Sequence, residues 1–207
     1  MAANTKTVPR KRVPAAERRD ALIEAAVHHF AHGGLQGTKV AAIAADVGVA
    51  QPYVFSLFPT KRDLFLAAVG RCFEKISALF TTAAADFDAN GPQDPEEDKL
   101  KAIGHTYMGA IGDNPDQLLL QLQAYAACGD DAEIQAFVRL EYAKLIELIR
   151  RLSGVDDDER LDGFFQAGMW CNVAAALGVE DFSVHSGWVE NCLGTGGSAG
   201  AEAGARS

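Results

Sequence analysis

The sequence predicts an all-α fold: a small N-terminal three-helix unit on a larger antiparallel helical body, about nine helices in all. Three observations carry this. Apolar residues recur at helical spacing through most of the 207 positions. Glycine and proline interrupt those stripes where helices would end. No stretch of useful length alternates apolar and polar residues as a half-buried strand does.

Taken in order, residues 1–14, with Pro9, Pro14, Lys6, Arg10, Lys11 and Arg12, read as a flexible basic arm. A first helix is expected from Ala15 to about His32, with Leu22, Ala26 and Phe30 stacked, and Gly33-Gly34 ending it. Thr38 is a suitable N-cap for a second helix whose Val40, Ile43, Ala44 and Val47 form one apolar face, and Gly48 stops it. A short third helix runs from Gln51 to Phe58 with Pro52 in its first turn. Pro59 closes it, and Thr60 caps a fourth helix from Lys61 to about Asp86, with Asp63 completing a capping box.

Gly91-Pro92 through Asp94-Pro95 reads as a loop. A helix over about 96–112 then carries Leu100, Ile103, Tyr107 and Ile111, and another runs from Asn114-Pro115 to about Cys128. Ile134, Phe137, Val138, Tyr142, Leu145, Ile149 and Leu152 mark a long amphipathic helix ending at Ser153-Gly154. Leu161, Phe164, Phe165, Gly168, Met169 and Val173 mark the next, to about Leu177, and a weaker one spans about 181–192. The Gly/Ala/Ser-rich residues 194–207 read as a disordered tail. The resulting division is 1–14, 15–60, 61–193 and 194–207.

A hydrophobic fraction of 48% suffices for a packed core. No apolar run approaches the roughly 18 residues of a membrane span, and no apolar segment follows the basic N-terminus, so a cytoplasmic protein without membrane contact is expected. The net charge of −9 argues against nucleic acid as a partner, but its distribution reverses that. Residues 1–70 hold nine Lys/Arg against five Asp/Glu, while the remainder holds ten against 23. A basic end on an acidic body suits a protein that meets phosphate with that end alone. Cys72, Cys128, Cys171 and Cys192 include no C-x-x-C pair, which excludes a zinc ribbon or thioredoxin-like motif. Absence of a Gly-rich phosphate loop, H-E-x-x-H or nucleophile elbow leads us to expect neither an enzyme nor a cofactor. His28, His29 and His32 invite a metal reading, but no acidic or Cys ligand lies nearby in sequence, so no metal site is expected.

Two short helices joined by a tight glycine turn, the second barely two turns long, form a helix-turn-helix. Val54 and Phe58 face inward at i, i+4, leaving Gln51, Tyr53, Ser56 and Leu57 on or near the open side. The run from Thr38 to Phe65 resembles the DNA-binding signature of the tetracycline-repressor (TetR) family. It has a Thr opening the second helix, the Ile43-Ala44 pair, Gly48 at the turn, Phe55-x-x-Phe58 where Tyr-x-x-Phe is usual, and Lys61 beginning the fourth helix. The likeness extends from about Ala15 to Val69. It implies that Thr38 and Lys61 hold the DNA backbone, that Gln51, Pro52, Tyr53 and Ser56 approach base edges, and that Lys39, Ala50 and Phe55 belong to the same DNA-binding surface. Gln51 is best suited to read a base, because its amide can pair bidentately with adenine. Phe55 stands for the usual tyrosine, Leu57 for His or Tyr, and Ala50 for a frequent serine, so binding leans on Arg10, Lys11, Arg12, Arg18 and Arg19 and is expected to fall steeply with salt.

The resemblance also implies a homodimer through the last two long helices and a small-molecule effector bound in the body, with release from a palindromic operator. Phe164, Phe165, Gly168, Met169 and Ala175 are candidates for the dimer interface, mixing small and bulky residues as close helix packing needs. Tyr107, Gln121, Tyr125, Phe137, Trp170 and Asn172 are candidates for the ligand pocket. A DNA-binding activator or architectural protein without an effector is the alternative reading.

Overall fold

The computed structural model describes residues 14–92, 94–95, 97–113 and 115–179. The expected arm before Pro14, the helix over 181–192, Trp188, Cys192 and the tail from Gly194 lie outside the described residues. Among the described residues there are eight helices and no strand: α1 (Ala15–Gly37), α2 (Val40–Val47), α3 (Gln51–Leu57), α4 (Lys61–Asn90), α5 (Lys99–Asp113), α6 (Asp116–Ala127), α7 (Ala132–Ser153) and α8 (Asp158–Leu177).

Helix α1 buries Leu22, Ile23, Ala26, Val27, Phe30 and Ala31, a stripe wider than one face, because it packs against α2, α4 and α6 together. Phe30 meets Phe65 of α4 edge-on, with ring centroids 5.0 Å apart. Gly33-Gly34 marks a break rather than the end. The backbone at Gly34 adopts φ 61 and ψ −179, after which one more turn runs to Gly37.

Thr38 does not cap α2. Lys39 occupies the N-cap position without a side-chain bond, while Thr38 is buried and its hydroxyl donates to the His29 carbonyl at 2.9 Å. The two-residue link turns Thr38 back onto α1, beside Gly33, where an added Cβ would stand 2.6 Å from the Thr38 hydroxyl. Gly48 ends α2 in the left-handed region (φ 70, ψ 36), and the Val49 N–H donates to the Ala44 carbonyl at 2.9 Å. Across this turn α2 and α3 meet at 99°, a helix-turn-helix angle.

The capping box of α4 forms as the sequence indicates. The Thr60 hydroxyl accepts from the Asp63 N–H at 3.1 Å, and the Asp63 carboxylate accepts from the Thr60 N–H at 2.8 Å. The helix continues to Asn90 rather than Asp86, since the first left-handed glycine, Gly91 (φ 72), supplies the stop. Asp131 caps α7 and Asp157 caps α8, each accepting two backbone N–H groups. α8 starts a turn before its apolar stripe because Asp158 and Glu159 are favourable at the positive end of a helix. In the body, α4 packs on α5, α6 and α7, and α8 closes over α5 and α6. No single described helix is long and apolar enough to cross a membrane.

Ion pairs join the two ends. Arg62 at the start of α4 reaches Asp131 at 3.3 Å and Glu133 at 2.8 Å, tying α4 to the start of α7. Arg71 holds Glu24 at 2.7 Å and Asp20 at 2.9 Å, and Lys75 holds Glu24 at 2.5 Å.

Gly34 tests this architecture. An added Cβ there would stand 2.6 Å from Oε1 of Gln123, on a backbone that L side chains rarely adopt. Gly34→Ala is expected to lower unfolding stability by about 1–3 kcal/mol in urea denaturation. Gly37→Ala, where nothing lies within 4 Å of the new Cβ, should stay within about 0.5 kcal/mol of the parent.

Candidate functional sites: the helix-turn-helix surface and the body cavity

Helix α3 is held by two inward anchors. Val54 and Phe58 are buried, which turns Gln51, Pro52, Phe55 and Ser56 to solvent and leaves Tyr53 and Leu57 half-buried against the core. The Ser56 hydroxyl donates to the Tyr53 carbonyl at 2.6 Å. Arg18 and Arg19 of α1 lie over the rings of Tyr53 and Phe58, at 5.9 Å and 5.0 Å from the centroids. Ala50 and Lys39, at the starts of α3 and α2, are exposed. Lys61 is half-buried, and its ammonium donates to the Gln36 carbonyl at 2.9 Å. Among the residues expected at the DNA backbone, Thr38 stands apart, because it is buried with its hydroxyl engaged.

Two of the three acids of α1, Asp20 and Glu24, are engaged by α4. Burial alone would raise the Glu24 carboxyl, but hydrogen bonds and charge from Lys75 and Arg71 outweigh it and hold the group below the usual range. Asp20 is likewise engaged by Arg71, at 2.9 Å.

The second site is a cavity in the body, about 60 Å³, between α4, α5, α6, α7 and α8. Ile76, Phe80, Tyr142, Leu145, Phe164 and Phe165 supply apolar walls. Phe80 meets Phe164 edge-on at 5.7 Å, and Phe164 meets Phe165 edge-on at 5.3 Å. Through the cavity runs one line of hydrogen bonds. The Tyr125 hydroxyl donates to Oε1 of Gln121 at 3.2 Å, Nε2 of Gln121 donates to the Tyr107 hydroxyl at 2.9 Å, and that hydroxyl donates to Oδ1 of Asn172 at 3.0 Å. Burial pushes both phenols far above their usual range, so the chain is uncharged. Met108 and Met169 line the cavity while also being exposed, which places two flexible side chains at its rim.

The structure thus brings Tyr107, Gln121, Tyr125 and Asn172 together at the cavity. Phe137 and Trp170 are not among its lining residues. Phe137 packs toward Gly70 of α4, and Trp170 is 56% exposed on the far side of α8. Phe164, Phe165, Gly168 and Met169, expected at the dimer interface, line the cavity, and Ala175 is half-buried against the core. Sequence reasoning missed Phe80 and Tyr142, whose helical spacing matches that of any core residue. It also missed Met108.

The helix-turn-helix region has relatives of known kind. The family model for bacterial regulatory proteins of the tetR family matches residues 22–68. No curated protein matches the chain. Among solved structures, a TetR-like transcriptional regulator from Rhodococcus sp. RHA1 superposes with a TM-score of 0.56 at 22% identity, covering 81% of this chain and 88% of its own. A regulator from Saccharomonospora viridis, solved in complex with choline, superposes with a TM-score of 0.59 at 17% identity, covering 87% of this chain and 95% of its own. The multidrug binding protein EbrR, solved with proflavin, gives 0.55 at 18% identity, covering 85% of this chain and 99% of its own. The 99° turn between α2 and α3, the anchored and exposed α3, and these matches agree: residues 22–68 are a DNA-binding domain of the kind found in bacterial regulatory proteins of the tetR family, set on a body with the fold of TetR-like transcriptional regulators.

Proposed function

We propose that the chain is a ligand-responsive transcriptional repressor that binds a palindromic DNA operator as a homodimer and is released by a small apolar or amphipathic effector. One observation carries this reading. A single helix, α4, begins beside the helix-turn-helix with Lys61 and lends Ile76 and Phe80 to the cavity wall. From Lys61 to Phe80 that rod is about 28 Å long at 1.5 Å per residue.

The cavity is tight as it stands. Its 60 Å³ accommodates a few waters, far below the roughly 300–1,000 Å³ of drug-sized pockets. An effector therefore enlarges it, pressing on Ile76 and Phe80 and tilting α4. By linkage, an effector that favours the tilted body disfavours the spacing of two α3 helices that fits successive major grooves, about 34–36 Å apart. The lining is aromatic and carries no charged side chain among the described residues. Such a lining suits neutral amphipathic molecules, and also cations whose charge meets ring faces; choline and proflavin in the two fold neighbours are of the latter kind. The dimer is supported by the outer face of α8, where Trp170 and Leu177 are exposed two turns apart, and by exposed Leu140 on α7.

Selection from random duplex DNA is expected to recover an inverted repeat. Gln51→Ala should weaken binding to that repeat by about 1–3 kcal/mol and relax preference at one base pair per half-site. Recovery of salt-sensitive binding without any sequence preference would sink the operator reading. For the same repeat, log affinity against log salt should be linear. Arg18→Ala together with Arg19→Ala should shallow its slope by roughly one unit for each phosphate left without an arginine partner in each subunit. Tyr107→Phe leaves Gln121 and Asn172 without their shared partner and is expected to cost about 1–3 kcal/mol in urea denaturation. The same variant should shift the effector profile toward less polar compounds, read by tryptophan fluorescence titration.

A further inference from the structure

Helix α1 presents His28 and His32 one turn apart on its surface, and the fold brings Asp116, at the start of α6, against both. Nδ1 of His28 lies 2.8 Å from Oδ2 of Asp116, and Nε2 of His32 lies 3.0 Å from Oδ1. The imidazole rings are tilted at 60° to each other with centroids 4.9 Å apart, and one ligand atom from each of the three residues lies within 4.8 Å of the others. We propose that His28, His32 and Asp116 form a binding site for a divalent transition-metal ion, Zn²⁺ or one of similar preference, that clamps the DNA-binding domain to the body.

Two donors bonded to one metal at about 2.0–2.2 Å stand about 3.0–3.4 Å apart, depending on the coordination geometry. The two nitrogen–oxygen separations are already within a few tenths of an ångström of that range. The two separations run to different oxygens of the Asp116 carboxylate, so the carboxylate either ligates through both or turns to offer one. The ring nitrogens then close in, and both rings have room to turn, since the His28 and His32 side chains are 61% and 54% exposed. Asp116, at 17%, supplies the fixed point. Two imidazoles and one carboxylate suit zinc, nickel, cobalt or copper better than magnesium or calcium, which prefer all-oxygen shells. Water completes the shell on the solvent side.

The remaining described histidines differ in kind. Among the described carboxylates His29 pairs with Asp46 and His105 with Glu97, and among the described residues neither is part of a three-ligand group. A metal ion needs the ligating nitrogen of each ring bare of its proton, so protons and metal compete for the site.

The clamp has a mechanical consequence. α1 belongs to the helix-turn-helix unit and α6 carries Gln121 of the cavity. Bound metal stabilises the arrangement in which these helices lie together, and any effect of this on DNA binding rests on the proposed function. The binding test does not.

The experiment uses the full chain without an affinity tag, stripped with chelator and titrated with Co²⁺, followed by visible absorption, and then with Zn²⁺ in competition. The three-ligand site predicts a saturable cobalt spectrum displaced by zinc, and a thermal unfolding midpoint that rises with Zn²⁺. His28→Gln and His32→Gln keep an amide that can bond Asp116 but is a poor ligand. Each should weaken Zn²⁺ binding on the order of tenfold or more, with the midpoint in chelator little changed. His105→Ala should bind as the parent does. A flat cobalt titration, or a double His28→Gln, His32→Gln variant that binds as tightly as the parent, would overturn the site whether or not the chain binds an operator.

Discussion

The crossing of α1 over α4, where Phe30 and Phe65 meet with no exposure to solvent, is the contact on which the other interfaces depend. The helix-turn-helix has little core of its own. Val40, Ile43 and Ala44 of α2, Val54 of α3 and Phe58 just after it are its buried contribution, and they close over α1 and the start of α4. A unit of that size is marginal when it stands alone. Burying two phenylalanines at the crossing, with several kcal/mol attached to each, makes the DNA-binding unit an extension of the body rather than a bead on a string. A change of angle at this crossing cannot occur without moving α3.

Electrostatics follow the same division of labour. α1 alternates basic and acidic residues, yet α4 answers the acids with Arg71 and Lys75 and leaves Arg18 and Arg19 over α3. Within α1 the guanidinium groups of Arg18 and Arg19 therefore lie on the side that carries α3. Arg62 performs a different task. It spends its charge on Asp131 and Glu133 at the start of α7 and serves as a strut between the two parts of the chain.

Most of the fold was legible because its signals are local. The capping residues Thr60 and Asp63, the left-handed glycines Gly48, Gly91 and Gly154, and the apolar stripes between them require no knowledge of neighbouring helices. Thr38 failed as a cap because a polar residue at a helix entry can bond forward or backward, and only packing against α1 decides. α8 shows the limit of periodicity. It is apolar on two faces, with Phe164, Phe165 and Asn172 at the cavity and Trp170 and Leu177 exposed, so spacing alone does not tell that Trp170 lies outside the cavity lining. Asp116 was invisible as a partner of His32 for a simpler reason, since 84 residues separate them.

The narrowness of the cavity bears on sensitivity rather than on fit. A pocket that must open before it can be filled is binding-competent for only a fraction of the time, and apparent affinity falls by that fraction. The closed state here is held by an uncharged line of hydrogen bonds from Tyr125 to Asn172 and by edge-on ring contacts. Its free energy sets a concentration below which traces of an amphipathic compound go unanswered. Met108 and Met169 at the rim, with their low rotational barriers, are where that threshold can drift by single substitutions without disturbing the DNA-binding end.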